Sequence, residues 1–534
     1  MSKARLFTAA ALAALVAGPA LAAEEAPDKT VSELVVTAAP YAVSLDSATT
    51  SVNVLKREDL ESGPPGGLGD ALAGVPGLRS TFFGPGASRP VIRGLAGPRV
   101  MVLSNGVGMI DASGLSPDHQ VASDPAEAER VEVLRGPSAL AYGGSAIGGV
   151  VNVIDDRIPE FYDASLHGRA MGAASSGDRG REVSAQAKAG LGGRWMFTLD
   201  GVHRETEDYK VPVDPISSRL AADEGLPAPA KSATRVPNTF VDLDAYGAGA
   251  SYVGDSAWGG LAVKRTETSY GSAAEEDVHI ALKQTRVDAR GGADLAFGPF
   301  EKIKFAGGWA DYKHTEFEGG DPGTVFLSQG YEGRIELVQP NRDGWQGAVG
   351  FQGLHRTIDA IGEEALIPKT HINELGVFTL QRLDRDAWGV EGGLRLDTRK
   401  LASRKGERDF TNVSASAGAF VRPADGWFLG ISASHTSRAP TEDELFADGP
   451  HPATGSFEIG DVGLDRETSD SVDATVHYAE GPWSLDLHLF GVKFDGFIDL
   501  TEFHADIVRA WQRLDHDGDG YITQREFLDV PHAK

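Results

Sequence analysis

Between about residue 160 and residue 500, apolar and polar side chains take turns, and this alternation limits what the chain can fold into more than any other feature. Trp195, Phe197 and Leu199 are interleaved with Met196, Thr198 and Asp200. Ile303, Phe305, Gly307 and Trp309 alternate with Lys304, Ala306 and Gly308. The same holds for Trp427, Leu429, Ile431 and Ala433, and for Trp483, Leu485, Leu487 and Leu489. A period of two gives each strand one apolar and one polar face. A soluble antiparallel sandwich shows this pattern too, so the punctuation decides. Trp195, Trp427 and Trp483 open their strands, as an interfacial girdle requires. Tight turns such as Leu191-Gly192-Gly193-Arg194 exchange with long polar stretches such as Glu205 to Asn238, a short-turn, long-loop asymmetry. Backbone polar groups in hydrocarbon must all be paired, so such a sheet has to close. Residues 160–500 are therefore expected to form an antiparallel transmembrane β-barrel.

The N-terminus agrees with export. Lys3 and Arg5 precede an apolar run from Leu6 to Val16, and Ala20-Leu21-Ala22 offers small residues for cleavage. This reads as a signal peptide over residues 1–22, with the mature chain starting near Ala23. No later apolar stretch is long enough for a spanning helix. The chain carries 77 acidic against 50 basic residues, a formal charge of −27, which speaks against nucleic acid as a partner. It has no cysteine, which removes disulfides, thiol catalysis and cysteine-held metal centres. Neither H-E-x-x-H nor G-x-S-x-G occurs, and an enzyme is not expected.

Residues 23–45 are polar and extended apart from Val31-Ser32-Glu33-Leu34-Val35-Val36-Thr37. Residues 46–157 read as a compact mixed α/β domain of short apolar runs punctuated by glycine. Several of its blocks, Arg89-Pro90-Val91-Ile92-Arg93-Gly94, Val131-Glu132-Val133-Leu134-Arg135-Gly136-Pro137, Tyr142-Gly143-Gly144 and 148–154, resemble the plug signatures of TonB-dependent outer-membrane receptors. The resemblance implies a plug inside the barrel, residence in the bacterial outer membrane after insertion by the barrel assembly machinery, and transport without catalysis. It also implies that Val31–Thr37 is the TonB box, which adds as a strand to the TonB energy-transducing complex.

Within the family the look is nearest to the zinc-uptake branch. The segment from Asp111 to His119 resembles that branch's metal-contacting plug loop, which carries Asp118 and His119 over as ligands. Ala447 to Thr454, with Phe457-Glu458, adds His451, and Glu316 or Glu318 could bring a carboxylate from another loop. Two imidazoles with carboxylates suit Zn2+ and, less selectively, copper or nickel. The 14 histidines form no tract, and a chelated metal or small organic cargo stays open.

After Leu500 the alternation stops. Phe503, Ile507, Trp511 and Leu514 fall at helical spacing, and the stretch from Asp515 to Glu526 then fits a twelve-residue EF-hand loop. Asp515, Asp517 and Asp519 take the first acidic positions and Gly520 the sharp turn. Tyr521 offers a carbonyl, Thr523 a water-bridged position and Glu526 a bidentate carboxylate for Ca2+. A helix–loop–helix over 503–534 is expected. Phe494 to Phe503 reads either as barrel strand or as the end of a first, defunct calcium loop in which Gly491 and Lys493 occupy ligand positions, so a fusion near residue 497 is expected. At about 24 residues per strand with its loop, 160–497 holds about 14 strands, with 12 to 16 equally open, against 22 for plugged transporters, so the barrel is expected to be incomplete. With the tail Pro531-His532-Ala533-Lys534 in place of a terminal aromatic strand, impaired assembly is expected. The alternative is a calcium-binding chain attached to a non-transporting receptor remnant.

Overall fold

The computed structural model describes Tyr41 and residues 44–61, 66–223, 225, 227–229, 231–275, 277–362 and 365–501. The expected signal peptide, Val31–Thr37, and the calcium-loop residues Asp515, Asp517, Asp519, Tyr521, Thr523 and Glu526 lie outside them.

From Leu166–Ala174 to Trp483–Asp495 the chain lays down one antiparallel sheet of 15 strands, each beside its predecessor. The interruptions are two small hairpins held in loops, one of them Asp448–His451 paired with Ser456–Ile459. Trp483–Asp495 pairs along its whole length with Glu467–Glu480, so Gly491 and Lys493 are sheet residues and not the start of a calcium loop. The count falls within the expected range of about 12 to 16, one above its centre, because several connections are shorter than that average allows. Phe297 faces Phe300 and Glu480 faces Trp483, which leaves only Gly-Pro to turn. Gly298 and Gly481 have φ of +58° and +59°. Glycine reaches that region freely, and proline's fixed φ suits the second turn position. Among the described residues Leu166–Ala174 and Trp483–Asp495 are the sheet's edges, each with one strand neighbour.

The sheet is inside-out relative to a soluble one. Its outer face exposes Phe197, Leu199, Leu261, Phe351, Leu375, Leu394 and Ile431, and Trp195, Trp345, Trp388, Trp427 and Trp483 each begin a strand at the short-turn end. An apolar surface this extensive, rimmed by tryptophan, is built for lipid. The inner face carries buried Arg204, Lys264, Gln284, Arg286, Arg334, Arg382 and Arg395.

Those polar groups hold the plug. Val52–Lys56, Arg130–Leu134, Gly149–Ile154, Val100–Ser104 and Val107–Gly108 form its five-stranded sheet in that order, and only Val100–Ser104 with Gly149–Ile154 runs parallel. Arg204 donates to Asp124 at 2.7 and 3.0 Å and to Glu182 at 2.6 Å. Arg157 reaches Glu127 and Asp200, each at 2.8 Å. Arg334 and Arg395 both donate to the Ala141 carbonyl at 2.6 Å. Each of these guanidinium groups is buried and paired with a carboxylate or a carbonyl, which is what makes a polar interior tolerable. Toward the long-loop end the contact turns apolar. Plug residues Met109, Leu115 and Val121 join Tyr312, Phe326, Ile358, Ile372 and Phe446 of the wall and loops in one core.

Candidate metal site

The plug loop that follows Met109 is folded by its own acid. Asp111 accepts from the Ser113 amide and hydroxyl at 3.2 and 2.7 Å and from the Ala122 amide at 2.9 Å. The Tyr270 hydroxyl, from the barrel wall, donates to the Asp118 carbonyl at 3.0 Å and accepts from the Gln120 amide at 2.9 Å. Between these anchors the Asp118 and His119 side chains are driven inward, and both are buried.

His119 Nδ1 donates to the Ala112 carbonyl at 3.0 Å, which fixes the ring and aims Nε2 at Glu316 Oε1, 3.1 Å away. Glu316 sits near the outer end of the strand Phe300–Glu318, opposite a bulge in which Gly323 and Thr324 of the next strand face one residue. Bulges re-aim side chains in this way next to sites. Two positions back, and so on the same face, lies His314. It is fully buried, its ring 4.3 Å from that of His119 and 4.6 Å from Phe326. The Tyr312 hydroxyl hydrogen-bonds His314 Nδ1 at 2.7 Å, while Nε2, 3.6 Å from Glu316 Oε1, has no hydrogen-bond partner. One ligand atom each from His119, His314 and Glu316 falls within 4.8 Å of the other two.

His451 arrives on the small loop hairpin. Its Nδ1 meets Glu458 Oε1 and its Nε2 meets Ser116 Oγ, both at 2.6 Å, and Ser116 also hydrogen-bonds Asp118. Burial alone lowers the His119 pKa, but the Asp118 charge and the Glu316 hydrogen bond outweigh it, and the net shift is upward. Burial raises the Glu458 carboxyl, and the hydrogen bond and charge of His451 more than reverse this, so Glu458 is held ionised.

Asp118, His119, Glu316, Glu318 and His451 thus line one cavity of about 20 Å3. Glu318 stands exposed on its rim, outside the close group. Sequence reasoning passed over His314, which reads as one more inward polar residue of an alternating strand. The signal was its same-face spacing from Glu316. Glu458, which orients His451, was quoted for likeness and not for chemistry.

The family model for the TonB-dependent receptor plug domain matches residues 44–150, and that for the TonB-dependent receptor-like β-barrel matches 230–508. The "Iron-regulated outer membrane virulence protein" of Vibrio cholerae serotype O1 is 39% identical over 136 residues, which is 24% of this chain and only 20% of that protein's length. Among solved structures, the Serratia marcescens hemophore receptor HasR aligns with a TM-score of 0.70 at 16% identity, covering 85% of this chain and 74% of that one. The copper transporter OprC aligns at 0.67 and 16%, covering 83% and 71%. At such identities the structural matches speak for the fold. With a plug bound to the inner wall of a 15-stranded sheet and the barrel model matched over more than half its length, this chain belongs to the TonB-dependent receptors.

Proposed function

We propose that this receptor takes up a divalent transition-metal cation, zinc first among the candidates, across the bacterial outer membrane. The ion is captured at Asp118, His119, Glu316 and His451 and released inward when the TonB complex pulls on Val31–Thr37. One observation carries the reading: residues from three distant segments line a cavity of about 20 Å3. That is room for about one water-sized body. A bare or lightly hydrated ion fits it, whereas a siderophore or haem does not. The donors are imidazole and carboxylate with no thiolate available, a set that suits Zn2+ and excludes the softest sites. The apolar, tryptophan-rimmed outer face supports residence in outer-membrane lipid. The Vibrio cholerae relative is named for regulation by iron, and the two structures of like fold are a copper transporter and a hemophore receptor.

Uptake of labelled zinc by cells expressing the chain tests this. Deletion of residues 31–37 should abolish accumulation but leave binding to purified outer membranes. Uptake of a ferric chelate but not of zinc would overturn the cation reading.

A second activity rests on the tail. The pattern Asp515, Asp517, Asp519, Tyr521, Thr523, Glu526 supports one Ca2+ site, in the weak range usual outside the cytosol. Calcium titration should show one equivalent, lost in Glu526→Gln. Calcium binding in a chain that takes up nothing would favour the alternative of a non-transporting remnant.

A further inference from the structure

We propose that the metal site is two cation stations in series: a rim station of Asp118 and His451, and an inner station of His119, His314 and Glu316. The inference rests on the cation reading above and adds a ligand and an order of events to it.

His314 Nε2 is a buried nitrogen 3.6 Å from Glu316 Oε1 and without a hydrogen-bond partner. A buried polar atom without a partner calls for an explanation, and beside a second imidazole and a carboxylate a bound cation supplies one. Both imidazoles of the inner set are held from behind. His119 gives its Nδ1 hydrogen to the Ala112 carbonyl, and His314 Nδ1 is within 2.7 Å of the Tyr312 hydroxyl, which can accept. Support of this kind fixes each ring with Nε2 turned toward Glu316, where it can ligate once its proton has left. The three donor atoms already lie within 4.8 Å of one another, a spread that small rotations close to the two-ångström bonds zinc prefers.

His451 does not share that set. Both its nitrogens are engaged, Nδ1 by Glu458 and Nε2 by Ser116. Ser116 also holds Asp118, so one serine hydroxyl ties the loop hairpin to the plug in the cavity that His119 and Glu316 line. A cation arriving from the loops meets this latch first. By displacing the Ser116 hydroxyl it gains Asp118 Oδ1 and His451 Nε2 together, with Glu458 behind the imidazole. Asp118 and His119 are neighbours in sequence, so the ion then passes to His119, His314 and Glu316 by exchanging ligands along one short loop.

Titration of the full-length receptor in detergent with Co2+, with Ca2+ saturating throughout so that an oxygen-only tail site stays filled, reads the stations directly. Two equivalents with different visible spectra are expected. His314→Phe keeps an aromatic ring between His119 and Phe326, and it should remove the tighter equivalent alone. His451→Ala should remove the weaker one and speed both loading and loss of the tighter. Heat-modifiable migration of each variant checks that the barrel is intact. A single equivalent lost in both variants would mean one mixed site and overturn the series, as would two equivalents surviving in His314→Phe. No cobalt bound by the unaltered receptor would instead defeat the cation reading itself.

Discussion

Among the described residues, two groups set histidine and carboxylate donors within 4.8 Å of one another, and they are built in opposite ways. His119, His314 and Glu316 meet between plug and wall, whereas His203, Asp242 and Asp244 meet on the outer face of the sheet. In the second group His203 Nδ1 and Asp244 Oδ1 are 2.9 Å apart, with side chains 45% and 49% exposed. Along that strand Trp195, Phe197 and Leu199 point outward before His203 does, so the group stands where the apolar belt ends. Water reaches these donors, and the imidazole is held only by a half-exposed carboxylate. In the inner group the two imidazoles are buried and oriented by the fold, so on the proposed reading an ion would meet donors already aimed at it. Distance alone does not make a site; desolvated, oriented donors do.

The contrast applies to ion pairs as well, where the largest effect is expected. Arg204→Met leaves Asp124 and Glu182 buried without their cation and should cost about 3–5 kcal/mol of stability. The exposed pair Arg179–Glu207, with side chains 65% and 56% exposed, should lose less than about 1 kcal/mol in Arg179→Met. Denaturant or thermal unfolding of the detergent-solubilised receptor compares the two. Equal losses would mean that burial at the plug wall does not set the strength of these contacts.

Next in size is the inner carboxylate. Glu316→Gln keeps the shape but removes the only negative ligand of the buried trio, and zinc affinity should fall by roughly 100-fold, about 2.7 kcal/mol. A loss below tenfold would show that His119 and His314 hold the ion without it.

How far the sequence led differs between the parts. The sheet was legible because lipid outside and a polar plug inside impose strict alternation, and the tryptophans named from sequence do stand at strand starts. The strand count of 15 falls within the expected range of about 12 to 16 and above its centre because Gly298-Pro299 and Gly481-Pro482 turn in two residues, while an average spacing charges every hairpin for a longer loop. Asp118, His119, Glu316 and His451 were picked from separate segments, and the fold sets them around one cavity; Glu318 was picked with them but ends on the exposed rim. His314 escaped because one histidine among inward polar residues carries no periodic signal. The clamps escaped for a different reason. Arg286 with Asp288, Arg334 with Glu336 and Arg395 with Asp397 repeat a same-face, two-residue spacing that was there to be read, yet their plug partners lie more than a hundred residues away.

Acidity should separate the two groups by a smaller margin. His119 keeps its proton above the ordinary imidazole value of 6.5, because Asp118 and Glu316 favour the charged ring over the cost of its burial. In the apo receptor the stabilisation from that protonated ring is complete below 6.5 and is lost as pH rises through the raised folded value. Metal binding has the reverse slope, since an ion must displace the proton at Nε2. Affinity at the inner group should climb up to about tenfold per pH unit, continuing past the point where a free imidazole has levelled off. Isothermal titration between about pH 6 and 8 in two buffers of different ionisation heat should show near one proton released per ion, and a flat profile would refute the protonated His119.

The smallest effect expected is also the sharpest test of what burial contributes. Asp242→Asn combined with Asp244→Asn strips the outer group of both carboxylates while leaving the strand register, set by Leu243 and Ala245 packed inward, untouched. Exposed charges of this kind contribute a few tenths of a kcal/mol at most. Zinc uptake and cobalt stoichiometry should stay within twofold of the unaltered receptor, and its unfolding should shift only slightly. A loss of one metal equivalent in this double variant would show that a solvated trio can compete with a buried one, and would move the point of first capture from the lumen to the rim of the lipid belt.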